Sequence, residues 1–478
     1  LFKYVRHEPK NTLLYKIIKE YYPAYVSHIS EENRTLPLYI RQEFEDYLKC
    51  GLLEHGFWRV RCEDCHHERM VAFSCKHRGF CPSCCSKRMI ESSALLVDTI
   101  LPRQPMRQWV LSVPFPLRFL FASQPQVMSK VLGIVYRTIA TYLIQKAGYS
   151  RKTARTGAVT LIQRFGSALN LNVHFHMLFL DGVYVNEVGE EDQRFIPVTH
   201  HQTKDIVNLT HKISLRIARY LERSGFIKSD TENSYLAADA LNDDNMNEHQ
   251  SYSISYRISI GPQKGRKVFS LQTLPPLVDD TQDQALGKVA GFTLHAGVSV
   301  KAWQRDKLER LCRYISRPPV SASRLSLTES GNIRYELKTP YRNGTTHVIF
   351  EPLDFISKLA ALIPSPRVNL TRFHGVFAPN SQYRSGIINR RVEDKFSEKT
   401  VQTAIEKQGA IRWAARLKRA FNIDIKKCDV CSGAVKVIAC IDDPIAIQKI
   451  LDHLQARQSH QVILPVSRAP PAGSAFLH

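Results

Sequence analysis

Apolar and polar positions alternate from Asn170 to Met177 within the stretch Asn170 to Gly182 (NLNVHFHMLFLDG). Side chains two apart on a strand point the same way, so Val173, Phe175, Met177 and Phe179 form an apolar face and His174 and His176 share the opposite one. Asp181-Gly182 is a turn signal leading into Val183-Tyr184-Val185. Ala158 to Gln163 (AVTLIQ) predicts a preceding strand, and the loop Arg164 to Ala168 makes an antiparallel hairpin with Gln163 near the histidines. Trp109 to Val113 predicts a further strand, broken by Pro114 and Pro116. Helical spacing recurs at Leu13, Leu14, Ile17, Ile18 and Tyr21, at Ile40, Phe44, Tyr47 and Leu48, and along Val127, Val131, Ile134, Val135 and Ile139. Another helix is predicted from Asp205 to Leu221, closed by Gly225. Core packing accounts for all of these. Ser229 to Gln250 is polar and acidic with no periodic face, which predicts an insertion or linker. Downstream, Arg334 to Leu337 and His347 to Phe350 predict strands, and Arg468 to His478 reads as a frayed end.

With 478 residues the chain has room for two to four domains and a sizeable core. Charged residues make up 23% and no run of 18 apolar residues occurs, so the composition predicts a soluble globular protein without a membrane span. Lys3, Arg6 and Lys10 are not followed by the apolar core of a signal peptide. Sixty-six Lys and Arg against 44 Asp and Glu leave a net charge of +22. That excess suits a polyanion, because each phosphate neutralised releases condensed counterions.

Two imidazoles on one strand face can clamp a metal ion or simply hydrogen-bond in a core. The cysteines add weight to metal. Seven of the 11 lie between Cys50 and Cys85, which in a large non-secreted chain favours metal over disulfides. Cys62-Glu-Asp-Cys65 and Cys81-Pro-Ser-Cys84 are separated by fifteen residues, the spacing of a four-thiolate zinc site. Met70 to Phe73 would form a short hairpin between these knuckles, and Cys50, Cys75, His77 and Cys85 remain for a second site or as substitutes. Four closed ligands leave no position for substrate, so this zinc is expected to be structural. Arg59, Arg61, Lys76, Arg78, Lys87 and Arg88 around it suggest a DNA-binding module. His66-His67-Glu68 does not match the His-x-Glu of a zinc deaminase. Near the other end, Cys428-Asp-Val-Cys431 and Cys440 offer three thiols, either a second, incomplete knuckle or a turn with reduced thiols.

Leu308 to Pro319 (LERLCRYISRPP) predicts a basic helix stopped by Pro318 and Pro319. Lys307, Arg310, Leu311 and Tyr314 share one face by the three-and-four rule. A tyrosine among Arg310, Arg313 and Arg317 sits in a field that attracts a phosphodiester and favours attack by the phenol oxygen. Stacking or packing is the plainer role for such a tyrosine, and a solvated basic face the plainer role for Lys307 and Arg310.

Several separated motifs in order resemble the transposases of rolling-circle insertion sequences, members of the HUH (His-hydrophobic-His) endonuclease superfamily with an N-terminal zinc-binding domain. They are the knuckle segment with Ser74-Cys75-Lys76 and Cys81-Pro-Ser-Cys84, the run from Gln163 to Asn172 with His174 and His176, Asp181-Gly182, and Arg313-Tyr314-Ile-Ser-Arg-Pro-Pro. Relatives with two tyrosines carry Tyr-x-x-x-Tyr on the nucleophile helix, whereas Arg310 stands at the first of those positions here, so Tyr314 is alone as in the ISCR-like branch. The resemblance implies an α+β fold, an HUH-type antiparallel palm with flanking helices behind a small helical and zinc-knuckle domain. The corresponding domains are 1–92 (helices and zinc), 93–330 (nuclease, with the polar insertion near 227–250), 331–425 (basic α+β extension, including Arg372 to Gly375) and 426–478 (a cysteine-containing tail).

It further implies a transposase that nicks and rejoins single-stranded DNA by transesterification through a 5′-phosphotyrosine. Tyr314 would be the nucleophile, and His174, His176 and a third ligand would hold Mg2+ or Mn2+. Gln163 is the first choice for that ligand and His295 the alternative. Lys307, Arg310, Arg313 and Arg317 would contact DNA; Cys62, Cys65, Cys81 and Cys84 would hold Zn2+. Implied partners are the DNA of element ends and target, together with host replication proteins, in the bacterial cytoplasm beside the nucleoid. An HUH replication initiator, a zinc-dependent regulator without catalysis and a carboxylate-dependent metal nuclease are the competing readings; the last would rely on Asp181, which has no evident carboxylate partners.

Overall fold

The computed structural model describes residues 8–185, 194–198, 200–229, 234–236, 246–275, 285–388, 428 and 430–459. These form two compact units. The larger takes in Pro9–Leu48 and Cys75–Asp424, and the smaller Lys49–Ser74 and Ile425–His478.

A six-stranded antiparallel sheet organises the larger unit, in the order Leu286–Val289, Phe292–Val300, Met106–Ser112, Leu171–Leu180, Gly157–Phe165, Thr371–Gly375. Its middle strands are buried on both faces, which explains their nearly continuous apolar sequence. One face carries Trp109, Leu111, Ile162, Val173, Phe175, Met177 and Phe179, in the same core as helices Phe115–Ser123, Pro125–Lys146 and Thr203–Arg223. Val131, Val135, Ile139 and Leu143 of the second of these helices are fully buried. By length and composition that helix could cross a bilayer, but 56% of its most apolar stretch lies inside the protein, as befits a core helix. The opposite face carries Met106, Val159, Leu161, Leu178 and Leu180 under Leu308, Cys312 and Ile315 of the helix Arg305–Ile315. The predicted α+β architecture with antiparallel sheets is therefore present.

A second sheet runs Phe269–Gln272, Thr345–Phe350, Ile333–Glu336, Leu325–Leu327. The helix Pro352–Leu362 is buried along most of its length, with an internal Lys358–Asp354 ion pair at 3.0 Å. The polar stretch from Ser229 to Gln250 falls largely outside the described residues. Its end differs from the predicted insertion: Asn247–Ile254 is a helix that buries His249 and Gln250, because His249 Nδ1 finds Ser357 Oγ at 2.8 Å. The last residues, from 460 onward, also lie outside the described set.

The smaller unit is a three-stranded sheet in the order Val435–Ile441, Phe57–Cys62, Glu68–Ala72. The hairpin expected at Met70 to Phe73 is instead made by Phe57–Cys62 and Glu68–Ala72, with Cys62 and Cys65 at its tip. Leu53, Phe57 and Ile447 are the buried members of its core. So small a core gives a metal staple room to contribute to folding.

Candidate functional site

His174 and His176 lie on Leu171–Leu180 with ring centroids 4.9 Å apart. Gln163 is directly opposite His174 across the hairpin, and Leu161 opposite His176, so Gln163 and both histidines share a face. The register slips between Gln163 and Phe165, a bulge that re-aims side chains beside the histidines. His295 is opposite Val110, which in turn is opposite His176. Two strand spacings, roughly 10 Å, therefore separate His295 from His176.

Each imidazole is fixed through Nδ1. His174 Nδ1 donates to the Asn172 carbonyl at 2.8 Å, which leaves Nε2 with its lone pair. His176 Nδ1 lies 2.7 Å from the Gln108 amide, and its Nε2 is buried without a partner. Nε2 acts as a ligand when Nδ1–H donates to the Gln108 oxygen, a half-turn of the amide. Asn172 Oδ1 is a second buried polar atom without a partner, two residues along the strand from His174. Burial pushes His174 down to about 4, with Arg317 and Arg118 adding to the shift. Burial, then His174, then Arg317 push His176 down to about 3. Both rings are neutral at pH 7, the state a metal requires. Two imidazole nitrogens and amide oxygens beside them form a donor set that fits a divalent ion such as Mn2+.

The helix Arg305–Ile315 meets this face at its C-terminal end. Gln163 Nε2 donates to the Ile315 carbonyl at 3.1 Å. Leu308, Cys312 and Ile315 point into the protein, while Lys307, Arg310 and Tyr314 are exposed, as their spacing predicts. Tyr314 is held between two cations: the Arg317 guanidinium 4.3 Å and the Lys338 ammonium 4.6 Å from its ring centroid. Arg317 also donates to the Tyr314 carbonyl at 2.8 Å. Through its charge Arg317 reaches both histidines and Tyr314, which makes it the electrostatic link between the strand and the helix. Arg313 is paired with Glu309 on its own helix.

Beside Gln163 and Ile315 opens a cleft of about 310 Å³. Arg78, Arg88, Arg164 and Arg317 stand on its walls. Sequence reasoning passed over Lys338, Gln108, Arg78, Arg88 and Arg164 as parts of this neighbourhood. Gln108 carried a signal, a lone amide in the apolar run MRQWVLS; Lys338 carried none.

Asp181 does not stand free for metal. Its carboxylate accepts from Arg107 Nε and Nη2, at 2.8–3.1 Å, and lies 3.0 Å from His201 Nε2.

The four cysteines expected to share one zinc fall into two groups. Cys62 and Cys65 are within 4.8 Å of Cys428 and Cys431, all in the smaller unit. In the larger unit Cys81 and Cys84 gather with Cys75, whose Sγ is 3.4 Å from that of Cys84. The grouping follows the local pairing: after Cys65 the chain pairs back along Phe57–Cys62 through Glu68–Ala72 before it reaches Cys75.

Comparison with known families gives two matches. Residues 157–384 match a family described as "Putative transposase", and residues 17–113 match the transposase zinc-binding domain of IS91 type. No curated protein and no solved structure matches the chain. The first match covers the histidine strand, its hairpin and the Tyr314 helix; the second covers the knuckle region and the two helices ahead of it. Zinc binding and action on DNA are properties that these families carry. Two transposase matches in this order, over a histidine strand and a tyrosine helix joined through Gln163, fit a transposase of the IS91 type.

Proposed function

We propose that the protein cuts and rejoins single-stranded DNA at the ends of its element through a covalent link to Tyr314. The observation that carries this reading is the approach of the tyrosine helix to the histidine strand, through the Gln163–Ile315 hydrogen bond and the shared field of Arg317. The Tyr314 oxygen attacks phosphorus, a Tyr–O–P bond forms, the P–O3′ bond breaks, and the 3′ oxygen leaves as a hydroxyl with the proton given up by the phenol. Attack by a 3′ hydroxyl on the phosphotyrosine reverses the step, so bond energy is conserved. Arg317 and Lys338 hold the phenol ring and face the phosphate's charge, while Arg78, Arg88 and Arg164 line a path for the strand's backbone. His174 and His176, with Gln163 as third ligand, would hold Mg2+ or Mn2+. The ion, when bound, polarises the scissile phosphate and stabilises charge on the leaving oxygen. Asn172, with its unpaired oxygen, competes with Gln163 for the third position. Lys307 and Arg310, exposed on the Tyr314 face, contact the strand, whereas Arg313 supports the helix through Glu309.

Structural Zn2+ in the larger unit is bound by Cys75, Cys81 and Cys84. His77 is engaged by Asp46 and Glu43, and Cys85 turns its thiol toward the Gly79 carbonyl, so neither joins these three thiolates. A single tyrosine, with Arg310 in place of another, means that only one strand is held covalently by one chain at a time. Wild-type protein and Tyr314→Phe are incubated with labelled oligonucleotides tiled across the element ends, with Mg2+ or Mn2+, and run on denaturing gels. A metal-dependent adduct lost in Tyr314→Phe supports the reading. Cleavage without an adduct refutes it in favour of hydrolysis, and binding without cleavage in favour of a regulator.

A further inference from the structure

In the smaller unit, two Cys-x-x-Cys turns 369 residues apart, outside each other's sequence neighbourhood, face one another. Cys62 Sγ is 3.4 Å from Cys431 Sγ and Cys65 Sγ is 3.5 Å from Cys428 Sγ. All four sulfurs lie within 4.8 Å of one another. A tetrahedral four-thiolate zinc with bonds of ~2.3 Å separates its sulfurs by about 3.8 Å, so the cluster has the size of that polyhedron. From it we infer a second zinc ion in each chain, held by Cys62, Cys65, Cys428 and Cys431, which closes the early hairpin and the late strand Val435–Ile441 into one metal-stapled ribbon.

The backbone around both turns is built for thiolates. In the later turn, Val430 N–H and Gly433 N–H each point at a cysteine sulfur at 3.4 Å, Cys428 and Cys431 respectively. Amide donors of this kind stabilise a charged sulfur. The residue after the second cysteine of each pair, His66 and Ser432, has positive φ (58° and 63°), the twist that turns a chain tightly around an ion. The two turns approach closely at Gly433, where a Cβ would come 2.1 Å from Asp64 Oδ2 in the opposing turn. The strands position the turns: Cys62 is opposite Val435, and Glu63 N–H donates to the Ala434 carbonyl at 2.8 Å. Among the described residues this core cluster has Leu53, Phe57 and Ile447 as its buried members, and an ion adds to what so small a core supplies. Cys440 points elsewhere: it is exposed, opposite Trp58, and takes no part.

The inference rests on the reading of the chain as a zinc-binding transposase but concerns a different set of ligands. Zinc per chain is measured by plasma mass spectrometry on full-length protein purified under reducing conditions. Two ions in the wild type, one in Cys428→Ser/Cys431→Ser and one in Cys81→Ser/Cys84→Ser are expected. A wild type with one ion that Cys428→Ser/Cys431→Ser retains overturns the inference and leaves the first zinc site standing. A Cys81→Ser/Cys84→Ser protein with full zinc removes the first site and leaves this one, and a zinc-free wild type overturns both. Should the serine variants fail to fold, the wild type alone is decisive through peptide-resolved alkylation. Cys65 and Cys431 are exposed, so burial does not shield them. With zinc they are expected to resist iodoacetamide while Cys440 reacts, and a chelator is expected to release Cys62, Cys65, Cys428 and Cys431 together. Cys428 and Cys431 reacting at the rate of Cys440 before chelation overturns the inference.

Discussion

Replacing Gln163 by leucine preserves side-chain volume and removes one donor. The bond it deletes runs from Nε2 to the Ile315 carbonyl at 3.1 Å, at a side chain 4% exposed. A buried carbonyl left without its donor costs about 1–3 kcal/mol. Part of that is lost from global stability and part appears as a looser C-terminal turn of the helix, one residue from Tyr314. If the whole cost falls on nucleophile placement, adduct formation slows about 5- to 150-fold. Urea unfolding of metal-free protein reads the first share, and single-turnover adduct formation at saturating Mn2+ reads the second. Gln163→Glu separates tethering from ligation: it keeps an oxygen for metal but cannot donate to Ile315 when ionised. Tethering predicts that both variants lose rate at saturating metal. Ligation alone predicts that glutamate restores the rate and leucine merely raises the metal requirement. Wild-type stability and rate in Gln163→Leu at every metal concentration refutes both roles.

Further outcomes follow from burial and charge. In metal-free protein His174 and His176 stay neutral down to about 4 and about 3, while in the unfolded chain they take up protons below ~6.5. The unfolded state therefore binds more protons as pH falls through that window, and stability is expected to drop from pH ~6.5 toward 4 and to be independent of these groups above it. His176→Phe should flatten that fall by up to about 1.4 kcal/mol per pH unit in urea titrations, and an unchanged slope would show that the ring is not buried neutral. Lys358→Met strands Asp354, whose Oδ1 also accepts from Ser259, in the core, with an expected loss of about 3–5 kcal/mol by thermal or urea unfolding. A loss below 1 kcal/mol would mean that the pair is solvated. Arg317→Lys keeps a charge but not the planar group stacked on Tyr314. It should slow adduct formation about tenfold or more, roughly the worth of one desolvated cation–π contact, with oligonucleotide affinity nearly unchanged by gel shift; equal rates would make the stacking incidental.

What could be read from sequence was local. Alternation from Asn170 to Met177 located the histidine strand and its apolar face, and the following turn and preceding AVTLIQ run located Gln163 across the hairpin from the histidines. Three-and-four spacing separated the exposed Lys307, Arg310 and Tyr314 from the buried Leu308, Cys312 and Ile315. Contacts made across long separations left no comparable trace. Lys338 reaches Tyr314 from the bend after the strand Ile333–Glu336, and the periodicity of neither segment encodes that approach. The cysteine spacing carried a real signal but an ambiguous one. Fifteen residues can close one cysteine cluster or lie between two, and the strand Glu68–Ala72, which pairs back along Phe57–Cys62, lies between two clusters. The pair Cys428 and Cys431 looked incomplete for the same reason, since its complement lies 369 residues upstream.

The pairing of Phe57–Cys62 with Val435–Ile441 has a consequence in time as well as in space. Translation at ~5–20 residues per second puts roughly 20 to 75 s between the emergence of Cys62 and that of Cys431. Throughout that interval the early strand has one of its two neighbours, Glu68–Ala72, and an open edge with Trp58 exposed beside it. The ribbon therefore closes late in synthesis: a chain cut short before residue 435 contains the histidine strand and the tyrosine helix but lacks the strand that pairs with Phe57–Cys62.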